Sequence, residues 1–248
     1  MPKANTGCSR CRDEQPLDFD FTFAFQPIVD VRTMTVFSYE ALVRGPNGEG
    51  AFHVLSMVDE SNRYQFDQAC RVKAITLAKQ LGVTCRLNIN FLPNAVYEPA
   101  ACIQATISTA DEVGFDVNKI VFEFLESEEI KDREHLKSIV LDYQSRGMTT
   151  AIDDFGSGYA GLNLLAEYQP DFIKLDMLLI RDIDKNKTKQ IIVNGMVMVA
   201  RDLGIELIAE GVETKGEADT LNKLGIYYIQ GYYFAKPGFK SLPAIVSQ

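Results

Sequence analysis

The sequence predicts a modified eight-stranded α/β barrel, and three observations carry that prediction. Eight short runs rich in Ile, Val, Phe, Tyr and Thr recur along the 248 residues, a composition suited to strands. Helical patterns lie between most of these runs, and five of them close on a glycine. The first two runs are joined by only about five residues, DVRTM, too few for a parallel crossover. Those two must pair antiparallel, so one strand of the barrel is reversed.

Residues 1–18 are polar and read as a flexible N-terminal leader, leaving 19–248 for one barrel domain. The runs then follow in order as 21–29, 35–43, 85–90, 119–126, 148–155, 172–176, 206–213 and 227–234. Helical spacing of apolar residues marks 68–82, 100–114, 133–147, 186–204 and 215–225, ending on Gly82, Gly114, Gly147, Gly204 and Gly225. A terminal glycine adopts the left-handed C-cap without a Cβ penalty. Repetition of strand, helix and glycine specifies a mostly parallel sheet. Eight strands in a chain of this length favour a closed barrel. No G-x-G-x-x-G follows the first run, which argues against an open dinucleotide-binding sheet.

Composition narrows the class. A formal charge of −9 excludes long nucleic acid as a partner, because duplex binding needs a dense basic face. It leaves room for a small phosphate ligand held by metal ions. The N-terminus lacks a signal-peptide pattern and no apolar run approaches the roughly 20 residues of a membrane span. The reading is a soluble cytoplasmic protein, or a soluble portion of one. Five cysteines, Cys8, Cys11, Cys70, Cys85 and Cys102, read mostly as reduced core thiols. The pair Cys8 and Cys11 is half of a zinc or redox signature with no second half.

Barrels of this kind carry their active sites where strands lead into helices. Polar residues stand in or just after each run from the second onward: Glu40 and Arg44; Asn88 and Asn90; Glu123 and Glu126; Asp153 and Asp154; Lys174 and Asp176; Glu210 and Glu213; Gln230. Singly, an acid at a strand end is usually a helix cap, Glu126 and Asp176 could be caps or ion-pair partners, and Lys174 could neutralise a neighbouring acid. As a set, they are not explained that way. Desolvating one ionised carboxylate costs several kcal/mol, so five or more at one rim require cations. Asp, Glu and Asn oxygens suit magnesium, manganese or calcium; His53 and His135 lie outside the runs and read as surface residues. Two hard cations about 3.5–4 Å apart form the phosphoryl-hydrolysis arrangement. Asp153 and Asp154 would be adjacent because two ions lie side by side.

At these residues the sequence closely resembles the EAL-domain family of cyclic di-GMP phosphodiesterases. Glu40, Ala41 and Leu42 spell its name, and QPIV, EALVR, LNIN, FEFLE, IDDFGSGYAGL, DFIKLD, IAEGVET and QGYYFAKP follow in family order from about residue 20 to the C-terminus. The resemblance implies a TIM-like barrel with one antiparallel strand and two divalent cations, magnesium or manganese. Glu40, Asn88, Glu123 and Asp153 would hold the first cation; Asp153, Asp154 and Glu210 the second. Lys174 would help activate the attacking water, Glu210 would act as general base, and Asp154 counts with them among the catalytic groups. Arg44 would meet a phosphate, with Gln26 and Gln230 as further ligand or water contacts. Glu126 would anchor the DDFGSGYAG loop, tied in the family to a homodimer contact, and Glu213 and Asp176 would support the ligands.

The implied reaction opens cyclic di-GMP to linear pGpG. Departures are few: the family often has Ser at Asn90, Thr at Leu125 and two serines at Ala160 and Gly161. A binding-only receptor is the alternative reading, although such members usually lack one or more of these acids. A barrel enzyme acting on another phosphoester is the third.

Overall fold

The computed structural model describes residues 17–126, 132–158 and 161–245. The predicted leader up to residue 16, with Cys8 and Cys11, lies outside the described residues, as does Ala160. The chain forms β1 (Thr22–Asp30), β2 (Thr35–Arg44), α1 (Ala51–Leu55), α2 (Arg63–Gln80) and β3 (Arg86–Asn90). Next come α3 (Pro99–Cys102), α4 (Gln104–Val113), β4 (Ile120–Leu125), α5 (Arg133–Ser145), β5 (Thr149–Phe155), α6 (Gly161–Glu167) and β6 (Phe172–Leu175). It closes with α7 (Met177–Ile180), α8 (Lys187–Leu203), β7 (Glu206–Ala209), α9 (Lys215–Leu224), β8 (Tyr228–Gln230) and β9 (Gly238–Phe239).

Strands β2 to β8 pair in parallel and in sequence order. β1 closes the barrel antiparallel to both β2 and β8, and the two-residue β9 extends β1 along the same edge as β8. The reversed strand expected from the short DVRTM link is therefore β1. The five glycines at the helix ends all take positive φ, from +68° at Gly114 to +95° at Gly225, as the left-handed cap requires. None of the described helices is long and apolar enough to cross a membrane.

Several boundaries differ from the sequence reading. The seventh and eighth runs stop pairing at Ala209 and Gln230. Beyond them the chain bonds rim to rim: Val212 N–H donates to the Gln230 carbonyl and Tyr233 N–H to that of Val212. A Cβ on Gly231 would come within 1.9 Å of the Val212 oxygen, so this crossing demands glycine. The predicted helix 100–114 is broken into α3 and α4, and α2 begins earlier, at Arg63.

The barrel interior is layered. Side chains on a strand alternate between faces, so residues two apart point the same way. An apolar floor contains Ile28, Val121, Ala151, Phe172 and Ile208, packed with Phe37 and Tyr228. Two residues beyond Val121, Ala151, Phe172, Ile208 and Tyr228 stand Glu123, Asp153, Lys174, Glu210 and Gln230. On β1, which runs the other way, Gln26 precedes Ile28 by two. Strand β1 and the five strands β4 to β8 thus each carry a polar residue two positions from a floor residue, at the same end of the barrel. The larger apolar core lies outside the sheet, between strands and helices.

The Phe172 ring packs 5.7 Å from that of Phe37 at the centre of the floor. Phe172→Ala is expected to cost about 3–5 kcal/mol, read as a lowered urea midpoint with an unchanged m-value.

Candidate active site

Lys174 is the hub of the polar layer. Its side chain is fully buried, and its ammonium lies 2.9 Å from Asp153 Oδ1, 2.9 Å from Glu210 Oε1, 3.1 Å from Glu123 Oε2 and 3.3 Å from Glu40 Oε2. One cation faces four acids. Burial works against the charge on Lys174, but the four carboxylates raise its pKa well above the ordinary value. Burial, with Glu40 and Asp153 nearby, pushes the Glu123 carboxyl up to about 8 against the pull of Lys174. Glu210 is held well above its usual range by burial and by Asp153. Burial and the neighbouring Asp153 and Asp176 raise Asp154 to about 6.

Amide side chains orient the acids. Gln230 Nε2 donates to Glu40 Oε2 at 2.7 Å and Asn90 Nδ2 donates to Glu40 Oε1 at 3.1 Å. Gln26 Oε1 accepts from Gln230 at 3.3 Å, while Gln26 Nε2 donates to the Ala235 carbonyl at 3.1 Å. Asn88 Nδ2 donates to Glu123 Oε1 at 2.6 Å. That leaves the buried Asn88 Oδ1 with no hydrogen-bond partner among the described residues, which is costly unless a ligand takes the lone pair.

The adjacent aspartates share the site because β5 is irregular. Its register against β6 slips between Ile152 and Phe155, with one extra residue on β5. Asp154 takes the left-handed φ of +54°, at a cost of about 1–2 kcal/mol for a non-glycine. The bulge cancels strand alternation, so both carboxylates serve one groove. Glu126, at the end of β4, holds the following turn: its Oε2 accepts from Gly156 N–H at 2.6 Å and Gly158 N–H at 3.3 Å.

The remaining predicted residues take separate places. Asp176 caps α7, accepting from Leu178 N–H at 2.8 Å. Glu213 pairs with Arg181 through both carboxylate oxygens at the rim. Arg44 donates to the Val43 carbonyl at 2.7 Å and lines a neighbouring apolar cavity of about 210 Å³. The carboxylate groove, about 380 Å³, is lined by Gln26, Glu40, Asp153, Asp154, Glu210 and Glu213 among others. Leu42 borders both. His53 lies exposed on α1 and His135 reaches the Val96 carbonyl; neither enters the site.

Two groups of acids could each hold a metal ion. Glu40, Glu123 and Asp153 form one, Asp153, Asp154 and Glu210 the other; within each, one carboxylate oxygen per residue lies within 4.8 Å of the others. Asp153 belongs to both. The model of the EAL domain family matches residues 14–237. The chain belongs to the EAL domain family.

Among EAL relatives, the chain is 30% identical over 224 residues to the blue light- and temperature-regulated antirepressor BluF of Escherichia coli K12, covering 90% of this chain and 56% of BluF. It is 33% identical over 174 residues to the cyclic di-GMP phosphodiesterase PdeR of the same organism, covering 70% of this chain and 26% of PdeR. The chain thus spans between about a quarter and just over half of these relatives. A standalone EAL protein from Vibrio cholerae O395, solved with c-di-GMP bound, is 54% identical with a TM-score of 0.90, covering 93% of this chain and 97% of that one. Klebsiella pneumoniae BlrP1, in a manganese/cy-diGMP complex, is 36% identical with a TM-score of 0.84, covering 92% of this chain and 58% of that one.

In this EAL domain, Asn90, a polar residue of the third run with no role assigned from the sequence, belongs to the site through its bond to Glu40. Its spacing two residues after Asn88 was the available signal, since residues two apart share a strand face. Gln26 and Gln230, expected as ligand or water contacts, also hold Glu40 in place.

A carboxyl whose folded pKa exceeds its unfolded value favours the folded state below the unfolded pKa. That stability is lost as pH rises through the folded pKa. For Asp154, at about 6, and Glu123, at about 8, metal-free protein is expected to lose thermal stability as pH climbs from about 5 to about 8. Melting curves in chelator test this, and Glu123→Gln should flatten the slope; a melting temperature that rises across the window contradicts the assignment.

Proposed function

We propose that this EAL domain is a metal-dependent phosphodiesterase that hydrolyses cyclic di-GMP to linear pGpG. The observation that carries the reading is the pair of acid clusters sharing Asp153, with the partnerless Asn88 Oδ1 beside Glu123. Buried oxygen donors that cannot all ionise against one lysine suit two hard divalent cations, magnesium or manganese. Glu40, Asn88, Glu123 and Asp153 hold the first; Asp153, Asp154 and Glu210 hold the second. When bound, such a pair polarises the phosphate and lowers the pKa of water.

The chain's own groups then divide the work. Lys174, locked as an ammonium, orients the attacking water by donating to its oxygen. Glu210, which faces the same groove, takes the proton from that water. Asp154 is fixed by the bulge to face the same groove. Arg44, in the cavity next to the groove, bonds the Val43 carbonyl, and its guanidinium is the group assigned to a phosphate oxygen of the ligand. Gln230, backed by Gln26, keeps Glu40 aimed, and both line the groove as ligand or water contacts. Glu126 holds the loop after Asp154, while Asp176 and Glu213 brace the flanking turns.

Two further parts belong to this reading. The active form is a homodimer, in accord with the exposed apolar side chains Ile191, Ile192, Met198 and Val199 on α8. The protein works in the cytoplasm, in accord with Cys70, Cys85 and Cys102 standing as free thiols in the way a reducing compartment favours.

Purified protein is expected to convert cyclic di-GMP to pGpG with magnesium or manganese, and not with chelator, as followed by chromatography. Asp153→Asn, which removes the acid common to both clusters, should lower the rate at least about 100-fold. Near-normal turnover by that variant would end the two-cation assignment. Retained dinucleotide binding without product would instead identify a receptor, a reading in line with the antirepressor name of BluF.

A further inference from the structure

Behind the site, on α2, Asp67 and Arg71 form an ion pair that the chemistry above does not use. Asp67 Oδ2 lies 2.7 Å from Arg71 Nη2, and the two side chains are 1% and 0% exposed. The guanidinium is enclosed by rings, 4.9 Å from the Phe122 centroid, 5.5 Å from that of Phe91 and 5.6 Å from that of Tyr143. Its Nη1 donates to the Tyr143 hydroxyl at 2.7 Å. The second carboxylate oxygen, Asp67 Oδ1, accepts the Leu92 backbone N–H at 2.9 Å.

Stability alone does not account for such a pair. Replacing a buried ion pair with apolar residues of similar volume is often neutral or stabilising, because desolvation offsets the attraction. What an apolar replacement cannot supply is the acceptor for Leu92. That N–H belongs to the chain just past β3, two residues after Asn90 and four after Asn88. Phe91 N–H is held from the other side by the Glu123 carbonyl at 2.8 Å. Asn90 donates to Glu40, and Asn88 to Glu123.

We infer that the Asp67–Arg71 pair is a positioning device that pins the end of β3 through Leu92, and so aims Asn88 and Asn90 at the carboxylate site. Arg71 acts by fixing Asp67, and Asp67 by fixing the backbone. Neither residue touches the acids. The inference rests on the two-cation reading for its effect on metal, though not for its effect on the backbone.

Removing Arg71 alone strands a buried carboxylate and risks the fold, so paired variants carry the test. Asp67→Leu with Arg71→Met gives an uncharged pair without an acceptor. Asp67→Asn with Arg71→Met gives one that still accepts from Leu92. Both should fold with melting temperatures near that of the wild type. In nucleotide-free protein, the Leu pair should bind manganese at least about tenfold more weakly by calorimetry and lose a similar factor in kcat. The Asn pair should stay within about threefold of wild type on both. Amide exchange of residues 87–92, read by mass spectrometry, should speed up in the Leu pair and not in the Asn pair.

Equal behaviour of the two pairs, whether both normal or both impaired, overturns the inference. So does a raised KM with unchanged manganese affinity, which would mean a direct contact with substrate from the cavity that Asp67 shares with Arg44. If wild-type protein takes up no manganese, the two-cation reading fails, and the exchange comparison alone decides the positioning role.

Discussion

One ammonium group, Lys174, stands fully buried between four carboxylates, and the arrangement of the barrel mouth follows from that imbalance. At about 3 Å and an effective dielectric near 20, each contact is worth roughly 5 kcal/mol of attraction, set against several kcal/mol of desolvation per ion. The lysine therefore keeps its charge. The carboxylates do not all keep theirs: Glu123 and Glu210 are held protonated to higher pH by burial and by one another's neighbours. A layer in this state is balanced either by protons or by cations. Protons satisfy the charge but leave the Asn88 carbonyl oxygen without a partner among the described residues; the two cations proposed above would satisfy both.

The backbone around the mouth is shaped to maintain this crowding. Strand geometry would send Asp153 and Asp154 to opposite faces. A bulge and a left-handed Asp154 bring them together, and such strain persists only where the surroundings over-determine it. Glu126 provides part of that restraint by accepting two backbone N–H groups from the next turn. The Gln26–Gln230–Glu40 chain does the same on the opposite side of the barrel. Apart from Lys174, the acids are thus held close by groups that themselves carry no charge, or whose charge is absorbed by backbone donors.

Much of this was legible in the sequence, and the reasons differ by element. Runs rich in Ile, Val, Phe, Tyr and Thr and glycine-ended helices announce a parallel barrel because both signals are local, and the five-residue link after β1 announces the reversal because chain length forbids the alternative. The polar residue on each strand was visible for the same reason. The ends of β7 and β8 were not: ELIAEGVE and YYIQGYYF keep strand-like composition past Ala209 and Gln230, and only the crossing of Gly231 against Val212 decides where pairing stops. Short helices such as α7, four residues long, carry too little periodicity to be read. The Asp67–Arg71 pair shows in sequence as opposite charges four apart, ordinarily a surface feature. Its burial is a product of packing against Phe91, Phe122 and Tyr143, three positions brought together only by the fold.

The direction of β1 shows what the layering depends on. Gln26 precedes Ile28 in sequence, whereas on the parallel strands the floor residue comes first; yet Gln26 stands opposite Glu40 and accepts from Gln230. Register thus sets which side chains of neighbouring strands meet, with chain direction entering only through the order of residues. Register is also where such a mouth is vulnerable, since slipping a strand by one residue would turn its acid outward and its apolar neighbours in. The aromatic floor of Phe37, Phe172 and Tyr228 resists slippage from below, and backbone clamps such as the one at Leu92 resist it from above. A charged layer that must keep several acids within a few ångströms needs both, because the repulsion among those acids would otherwise favour any register that separates them.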